Sequence, residues 1–418
     1  MIFEKDFRQT AEAVVGTAHF ATSASRVFSI LNDPSSWGQI RTPRVASATA
    51  PSRIVLTFDG VERATVSISS WSTDFCQLEV VLDGFQTEKA KVAFEDYWSQ
   101  IWLMLKGRLG NRASVLASSP AKVNVFFAVG AFLKNGFHEV ASCYQALSLR
   151  EIVSVEREGR FSISFAGPFA AQSRQLVPTD ASNLVYKAGV ELQKLNPEIY
   201  PEQVGYVIHK SVPIAGGMAG GSADGAAALV ALNKLFEADL EAKLPKAAAK
   251  LGSDVPFSLV GGTAIGTGRG EKLSKVETES ILHWVLTPSQ VGLSTPEVYR
   301  KLDILRTESG VDVSALDKPE VPQVLIDAVV SGDAIEVANF MHNDLEVAAL
   351  ALRPELAVTI EAGRKAGAIK SMMSGSGPTI VHLAKDRIHA EQIASRLAVV
   401  GLPSIATYTS VTGTRLEN

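Results

Sequence analysis

The chain has 418 residues, 46% of them hydrophobic and 20% charged, and a formal net charge of -4. At roughly 100–200 residues per domain this length predicts several domains, with cores large enough to need no covalent staples. The charge excludes a general pull toward nucleic acid polymers, and no apolar run approaches the about 20 residues of a membrane-spanning helix.

In chain order, residues 14–20 alternate as a strand and residues 23–31 read as a short amphipathic helix. The turn signal Asn32-Asp33-Pro34 ends that helix. Residues 53–58, 64–70 and 77–82 predict further strands, punctuated by Asp59-Gly60 and Asp83-Gly84. Residues 88–109 predict one long helix with Phe94, Trp98, Ile101, Trp102 and Leu105 along a stripe. This order, over residues 1–110, resembles the helix-grip fold of START-like and polyketide-cyclase-like proteins. No chemical motif accompanies it. The tryptophan stripe reads as core more readily than as a ligand pocket.

Residues 107–112 mark a boundary, after which strands and helices alternate. Residues 114–129, 204–210, 281–286, 369–374 and 379–383 carry strand patterns. Residues 182–195, 222–236, 241–251, 327–350, 354–366 and 388–398 carry helical ones, with Pro245 in a first turn.

The most informative stretch is Pro213-Ile214-Ala215-Gly216-Gly217-Met218-Ala219-Gly220-Gly221-Ser222-Ala223, between a predicted strand and a predicted helix. Paired glycines let a backbone approach a ligand closely. The helix start adds unpaired N–H groups and the positive end of its dipole. Together these suit polyphosphate oxygens. No Gly-Lys-Ser/Thr closes the loop, so it is not a Walker A loop. Ser222 is equally readable as an N-cap and as a phosphate or metal contact.

Three further segments complete a pattern: Pro120-Ala121-Lys122-Val123-Asn124, Leu251-Gly252-Ser253-Asp254-Val255-Pro256-Phe257, and Met373-Ser374-Gly375-Ser376-Gly377-Pro378. Taken singly, Lys122 reads as a solvated charge, Asp254 as a turn residue and Gly375 to Gly377 as a tight hairpin. Taken with the glycine loop, the set resembles the ordered motifs of the GHMP kinase family. Met218 and Ala219 stand where that family more often has leucine and glycine.

The resemblance implies an α+β, two-lobed GHMP kinase fold behind the small helix-grip-like domain, with lobes at residues 111–280 and 281–418. It implies ATP and Mg2+, with the loop from Pro213 to Ala223 on the phosphates and Asn183 facing adenine. Lys122 and Asp254 would flank the acceptor hydroxyl, with Asp254 as general base. Neither composition nor spacing names a protein ligand for the metal. Gly136-Phe137-His138 and Thr295-Pro296-Glu297-Val298-Tyr299 resemble the cytidine-binding segments of the diphosphocytidyl-methylerythritol kinase branch. There Phe137 would stack on cytosine, His138 would read its edge and Tyr299 would close the other side. Asn124, Gly375, Ser376 and Gly377 join the substrate set by the same resemblance. The acceptor hydroxyl implied is the 2-hydroxyl of diphosphocytidyl-methylerythritol. Homoserine, mevalonate or sugar kinases of the same family remain alternatives, as does a ligand-binding protein with a degenerate kinase part. Cys76 and Cys143 lack metal-ligand spacing. With no apolar leader in residues 1–7, they predict reduced thiols in a cytoplasmic protein. Oligomeric state is not legible.

Overall fold

The computed structural model describes residues 13–20, 23–34, 43–58, 63–72, 75–84, 101, 105, 114–133, 136–214, 216–289 and 292–417. The expected 88–109 helix falls outside these apart from Ile101 and Leu105, which are helical and fully buried. Phe94, Trp98, Trp102, the Asp59-Gly60 turn, residues 1–7, the boundary at 107–112 and Ala215 also lie outside the described residues.

The first part of the chain is a five-stranded antiparallel sheet. Its strands run Ala13–Phe20, Phe75–Asp83, Arg63–Ser72, Arg53–Thr57 and Arg44–Thr49 in spatial order. The strand at Arg44–Thr49 was not expected: its side chains are all exposed, so no apolar alternation announces it. The Ala24–Leu31 helix begins where the Ser23 hydroxyl accepts from Arg26 N–H. It buries Val27 and Leu31 against Ile54, Leu56, Val66 and Leu78.

The second sheet has eight strands, built on a long hairpin of Val115–Phe132 and His138–Arg157. Thr263–Thr267 and Lys272–Val276 extend it on one side. Val204–His209 pairs with the far end of the second hairpin strand. Two short strands from late in the chain, His342–Asn343 and Arg415–Glu417, join the first hairpin strand. Register shifts interrupt that strand between Pro120 and Lys122 and again between Asn124 and Phe126. Pro120 has no N–H to give a ladder, and such irregularities re-aim side chains. They fall around the two polar residues of the motif.

A third, four-stranded antiparallel sheet runs Lys370–Met373, Ile380–Ala384, His283–Thr287 and Ile405–Tyr408. Trp284, Leu286, Val381 and Leu383 from this sheet share one apolar core with Val123, Val125, Cys143 and Leu147 from the hairpin.

The single helical stretch expected over residues 327–350 is three helices: Gln323–Ser331, Ala334–Phe340 and Leu345–Leu352. Gly332 takes a left-handed φ of 75°, and Asp333 caps the next helix by accepting from the N–H groups of Ile335 and Glu336. The strand at His342–Asn343 makes the second break.

Candidate active site

The glycine loop leaves the Val204–His209 strand and ends in the Gly220–Leu235 helix. Gly217 has φ +69°, and a Cβ there would lie 2.7 Å from Ser374 O and 2.9 Å from Gly377 O. A Cβ on Gly216 would meet Thr379 Oγ1 at 2.6 Å. The loop therefore packs against the Gly375 to Gly377 turn so closely that only glycine fits. Ala219 sits in left-handed backbone with φ 58° at the head of the helix, a strained place for a residue with a Cβ. Ala219, not Ser222, is the N-cap, so the capping role read for Ser222 is not the one it has. Ser222 is the third helical residue and lines a cavity of about 670 Å³. A Cβ on Gly221 would meet nothing, so the loop opens there. Pro213 and Met218 are buried supports, Ile214 is half-buried, and Met218 O accepts from Lys122 N–H at 3.2 Å.

Lys122 and Asp254, 132 positions apart in sequence by subtraction of their numbers, meet on the wall of that cavity. Lys122 Nζ lies 3.9 Å from Asp254 Oδ2, with the lysine side chain 6% exposed and the aspartate 32% exposed. Burial pushes the Lys122 ammonium below the ordinary lysine range, and Asp254 opposes that shift. Lys122 Nζ also donates to Asn124 Oδ1 at 2.6 Å. Asn124 is held in turn: its N–H donates to Ser374 Oγ, and its Nδ2 donates to Ser142 Oγ. Gly375, at φ +56°, leaves room for this cluster, because a Cβ would approach Asn124 Oδ1 to 2.8 Å. Asp254 stands at the start of the short Val255–Val260 helix but caps nothing, which leaves its carboxylate available to the cavity.

The same cavity holds the expected base-binding residues. Phe137 is 48% exposed, with the Arg269 guanidinium 5.0 Å from its ring centroid. Tyr299 stacks on His138, their ring centroids 5.0 Å apart and planes 27° apart. Ser376 Oγ and Thr295 Oγ1 hydrogen-bond at 2.8 Å across the cavity wall. Gly377 lies deeper, under the glycine loop. Asn183 is placed differently from the rest. It is not among the cavity-lining residues, and it caps the Leu184–Gln193 helix by accepting from Val185 N–H while donating to Pro178 O.

The chain is similar to known proteins. The family described as GHMP kinases N terminal domain matches residues 183–262, and GHMP kinases C terminal matches residues 325–400. The 4-diphosphocytidyl-2-C-methyl-D-erythritol kinase of Rhodococcus jostii (strain RHA1) is 44% identical over 309 residues, covering 73% of this chain and 95% of that protein. The same enzyme of Nocardia farcinica (strain IFM 10152) is 45% identical over 291 residues, covering 69% and 91%. The chain belongs to the 4-diphosphocytidyl-2-C-methyl-D-erythritol kinase family. A crystal structure of 4-(cytidine 5'-diphospho)-2C-methyl-D-erythritol kinase superposes with a TM-score of 0.57 at 29% identity, covering 71% of this chain and 99% of that one. A homoserine kinase from Cytophaga hutchinsonii, at 17% identity and a TM-score of 0.54, shares the fold. The chain is thus an ATP-dependent small-molecule kinase with the α+β GHMP architecture.

Within this family member, several polar and aromatic residues at the site were not singled out from sequence. Tyr144 lies under the Lys122 ammonium, 5.7 Å from the ring centroid, and stacks on Phe257. Burial raises the Tyr144 and Tyr299 phenols well above their ordinary range, with Asp254 adding to the shift, so both stay neutral. Asn343 Nδ2 donates to Met373 O and Gly375 O and fixes the third motif from below. Asp303 places both carboxylate oxygens on His138 Nε2, at 3.0 and 3.1 Å. A signal for Asp303 existed: it stands four positions after Tyr299, one helical turn on. The Thr295–Glu308 helix, with proline in its first turn, presents both.

Proposed function

We propose that this protein transfers the γ-phosphoryl group of ATP to the 2-hydroxyl of 4-diphosphocytidyl-2-C-methyl-D-erythritol, in the non-mevalonate supply of isoprenoid precursors. The observation that carries the reading is one cavity lined at once by Lys122, Asp254 and Ser222 and by Phe137, His138 and Tyr299. Phosphoryl transfer is mostly positioning and charge neutralisation. Asp254 accepts the proton of the acceptor hydroxyl, being the cavity carboxylate beside the Lys122 ammonium. Lys122 stays beside it and stabilises charge gathering on the transferred oxygens. Asn124 holds the ammonium in place, and Gly375 leaves room for it. The loop from Pro213 to Ala223 holds phosphate oxygens through backbone N–H groups.

Mg2+ is carried mainly by phosphate oxygens and water, with one or two carboxylates. Ser222 offers a hard oxygen atom on the cavity wall, which fits an ion held mainly by phosphate and water. The ion would neutralise phosphate charge when bound. Adenine recognition by Asn183 would use the amide hydrogen and lone pair that its cap leaves over. The same proposal includes the domain limits 1–110, 111–280 and 281–418, a helix-grip identity for the first, and a cytoplasmic location suited to the free, buried Cys76 and Cys143.

ATP turnover by purified protein with diphosphocytidyl-methylerythritol, homoserine, mevalonate and galactose as acceptors tests the reading. The cytidine compound should dominate kcat/KM. Faster turnover of any of the other three would replace it.

A further inference from the structure

The geometry points to Asp303 as a positioning residue that fixes which nitrogen of His138 carries the proton, and thereby makes the site prefer a ring amino group to a ring carbonyl. This rests on the cytidine reading above and adds the atom that enforces it.

A neutral imidazole has one N–H and one lone pair, and an ionised carboxylate only accepts. Both oxygens of Asp303 face His138 Nε2 at 3.0 and 3.1 Å, so Nε2 must be the N–H. In the neutral ring the lone pair is then on Nδ1. The ring has little freedom to turn over: the residue is 9% exposed, Tyr299 covers one face, and Phe132 meets it edge-on at 5.1 Å. Among the described residues, Nδ1 has no hydrogen-bond partner.

His138 lines the cavity beside Phe137 and Tyr299. A flat heterocycle there meets a histidine whose remaining polar atom accepts. Cytosine offers its 4-amino group as a donor. Uracil offers a carbonyl at the same place, which sets lone pair against lone pair. A site built around a specific hydrogen bond rejects the mismatched analogue far more strongly than a hydrophobic pocket does. The Thr295–Glu308 helix delivers the stacking ring and the carboxylate one turn apart, so a single element sets both ring plane and proton position.

The test compares kcat/KM for diphosphocytidyl- and diphosphouridyl-methylerythritol in wild type, Asp303→Asn and Asp303→Ala. In Asp303→Asn the new amide can donate to Nε2 and release the other tautomer; Asp303→Ala leaves the proton undirected. The cytidine-to-uridine ratio should fall at least about tenfold in both variants, with KM for the cytidine substrate changing more than kcat. A structural role alone would lower the melting temperature and leave the ratio where it was. In wild type, the 15N shifts of His138, assigned by their loss in His138→Asn, should show a protonated Nε2 and a bare Nδ1. An unchanged ratio in folded variants, or a protonated Nδ1 in wild type, overturns the inference while cytidine turnover keeps the proposed function standing. A wild type that phosphorylates neither substrate overturns both.

Discussion

The five-stranded sheet and the kinase part bury different chemistry. The first closes over Ile54, Leu56, Val66, Leu78 and Cys76, with Val27 and Leu31 from its helix. Among the described residues, every buried polar or charged side chain lies from Ser118 onward. A buried polar group left without a partner costs about 1–3 kcal/mol. Such groups persist where a geometry requires them, and two clusters of them adjoin the motif segments. Lys122, Asn124, Ser142 and Ser374 form one cluster on the cavity side. Glu151, Lys210 and Asp224 form the other, at the two ends of the glycine loop. A core made only of apolar side chains explains folding; the polar clusters mark where a ligand has to be positioned.

The largest effect that would sharpen this contrast is at Asp254. Asp254→Asn keeps the shape and removes the base. General base catalysis is worth about 10²–10⁴ in rate, so kcat should fall by that much while KM for the acceptor changes little. Steady-state kinetics on protein with an unaltered melting temperature checks it. Near-normal turnover would leave the Lys122–Asp254 pair without its assigned work.

Next in size is the cluster under the loop. Lys210 Nζ lies 2.5 Å from Glu151 Oε1 and 2.8 Å from Asp224 Oδ2, and Glu151 Oε2 also accepts from Ser211 N–H. Strand end and helix start are thus tied through one buried ammonium. Lys210→Met removes the cation and leaves two carboxyls behind. It should destabilise the fold by about 3–5 kcal/mol, read from urea midpoints. A loss below about 1 kcal/mol, the usual size for an exposed pair, would put the cluster on a par with a surface contact.

A smaller effect separates the members of that cluster. Burial raises the Glu151 carboxyl from 4.5 to about 8, against the pull of Lys210. The folded chain therefore keeps a proton that the unfolded chain gives up. That contribution to stability is complete below about pH 4.5 and is lost as pH rises through about 8. One such proton gives a slope of at most about 1.4 kcal/mol per pH unit. Glu151→Gln should flatten the fall in urea midpoint between pH 5 and pH 8. Identical slopes in the two proteins would show that Glu151 is ionised throughout.

What sequence reveals divides along the same line. The four motif segments were legible because each carries residue types a polyphosphate site needs, and their order gave the resemblance that places Lys122 near Asp254. The irregular strand that aims Lys122 into the cavity and buries Asn124 beside it was not legible, since a bulge leaves no periodic mark beyond Pro120. Tyr144 belongs to no motif, and only the His138–Arg157 strand sets it under Lys122. The stretch at residues 327–350 looked like one helix because its apolar spacing continues across Gly332 and Met341. The punctuation Ser331-Gly332-Asp333 was present and outweighed. Arg44–Thr49 could not be found by burial at all, being exposed along its length.

The smallest expected effect comes from removing residues 1–110. Among the described residues, those that line the cavity all lie from Lys122 onward. Among the described residues, the apolar core of the five-stranded sheet shares no member with the kinase clusters. If polar clusters mark the chemistry, residues 111–418 alone should keep kcat/KM within about twofold, the scale of changes away from any site. Thermal stability is a separate readout, and it can fall without touching the argument, because losing a neighbouring sheet exposes surface without altering the cavity. A drop in kcat/KM of tenfold or more, in truncated protein whose circular dichroism matches the kinase part, would be a different matter. It would mean that an apolar sheet shapes the site from outside, and burial chemistry would then be a poor guide to where this chain does its work.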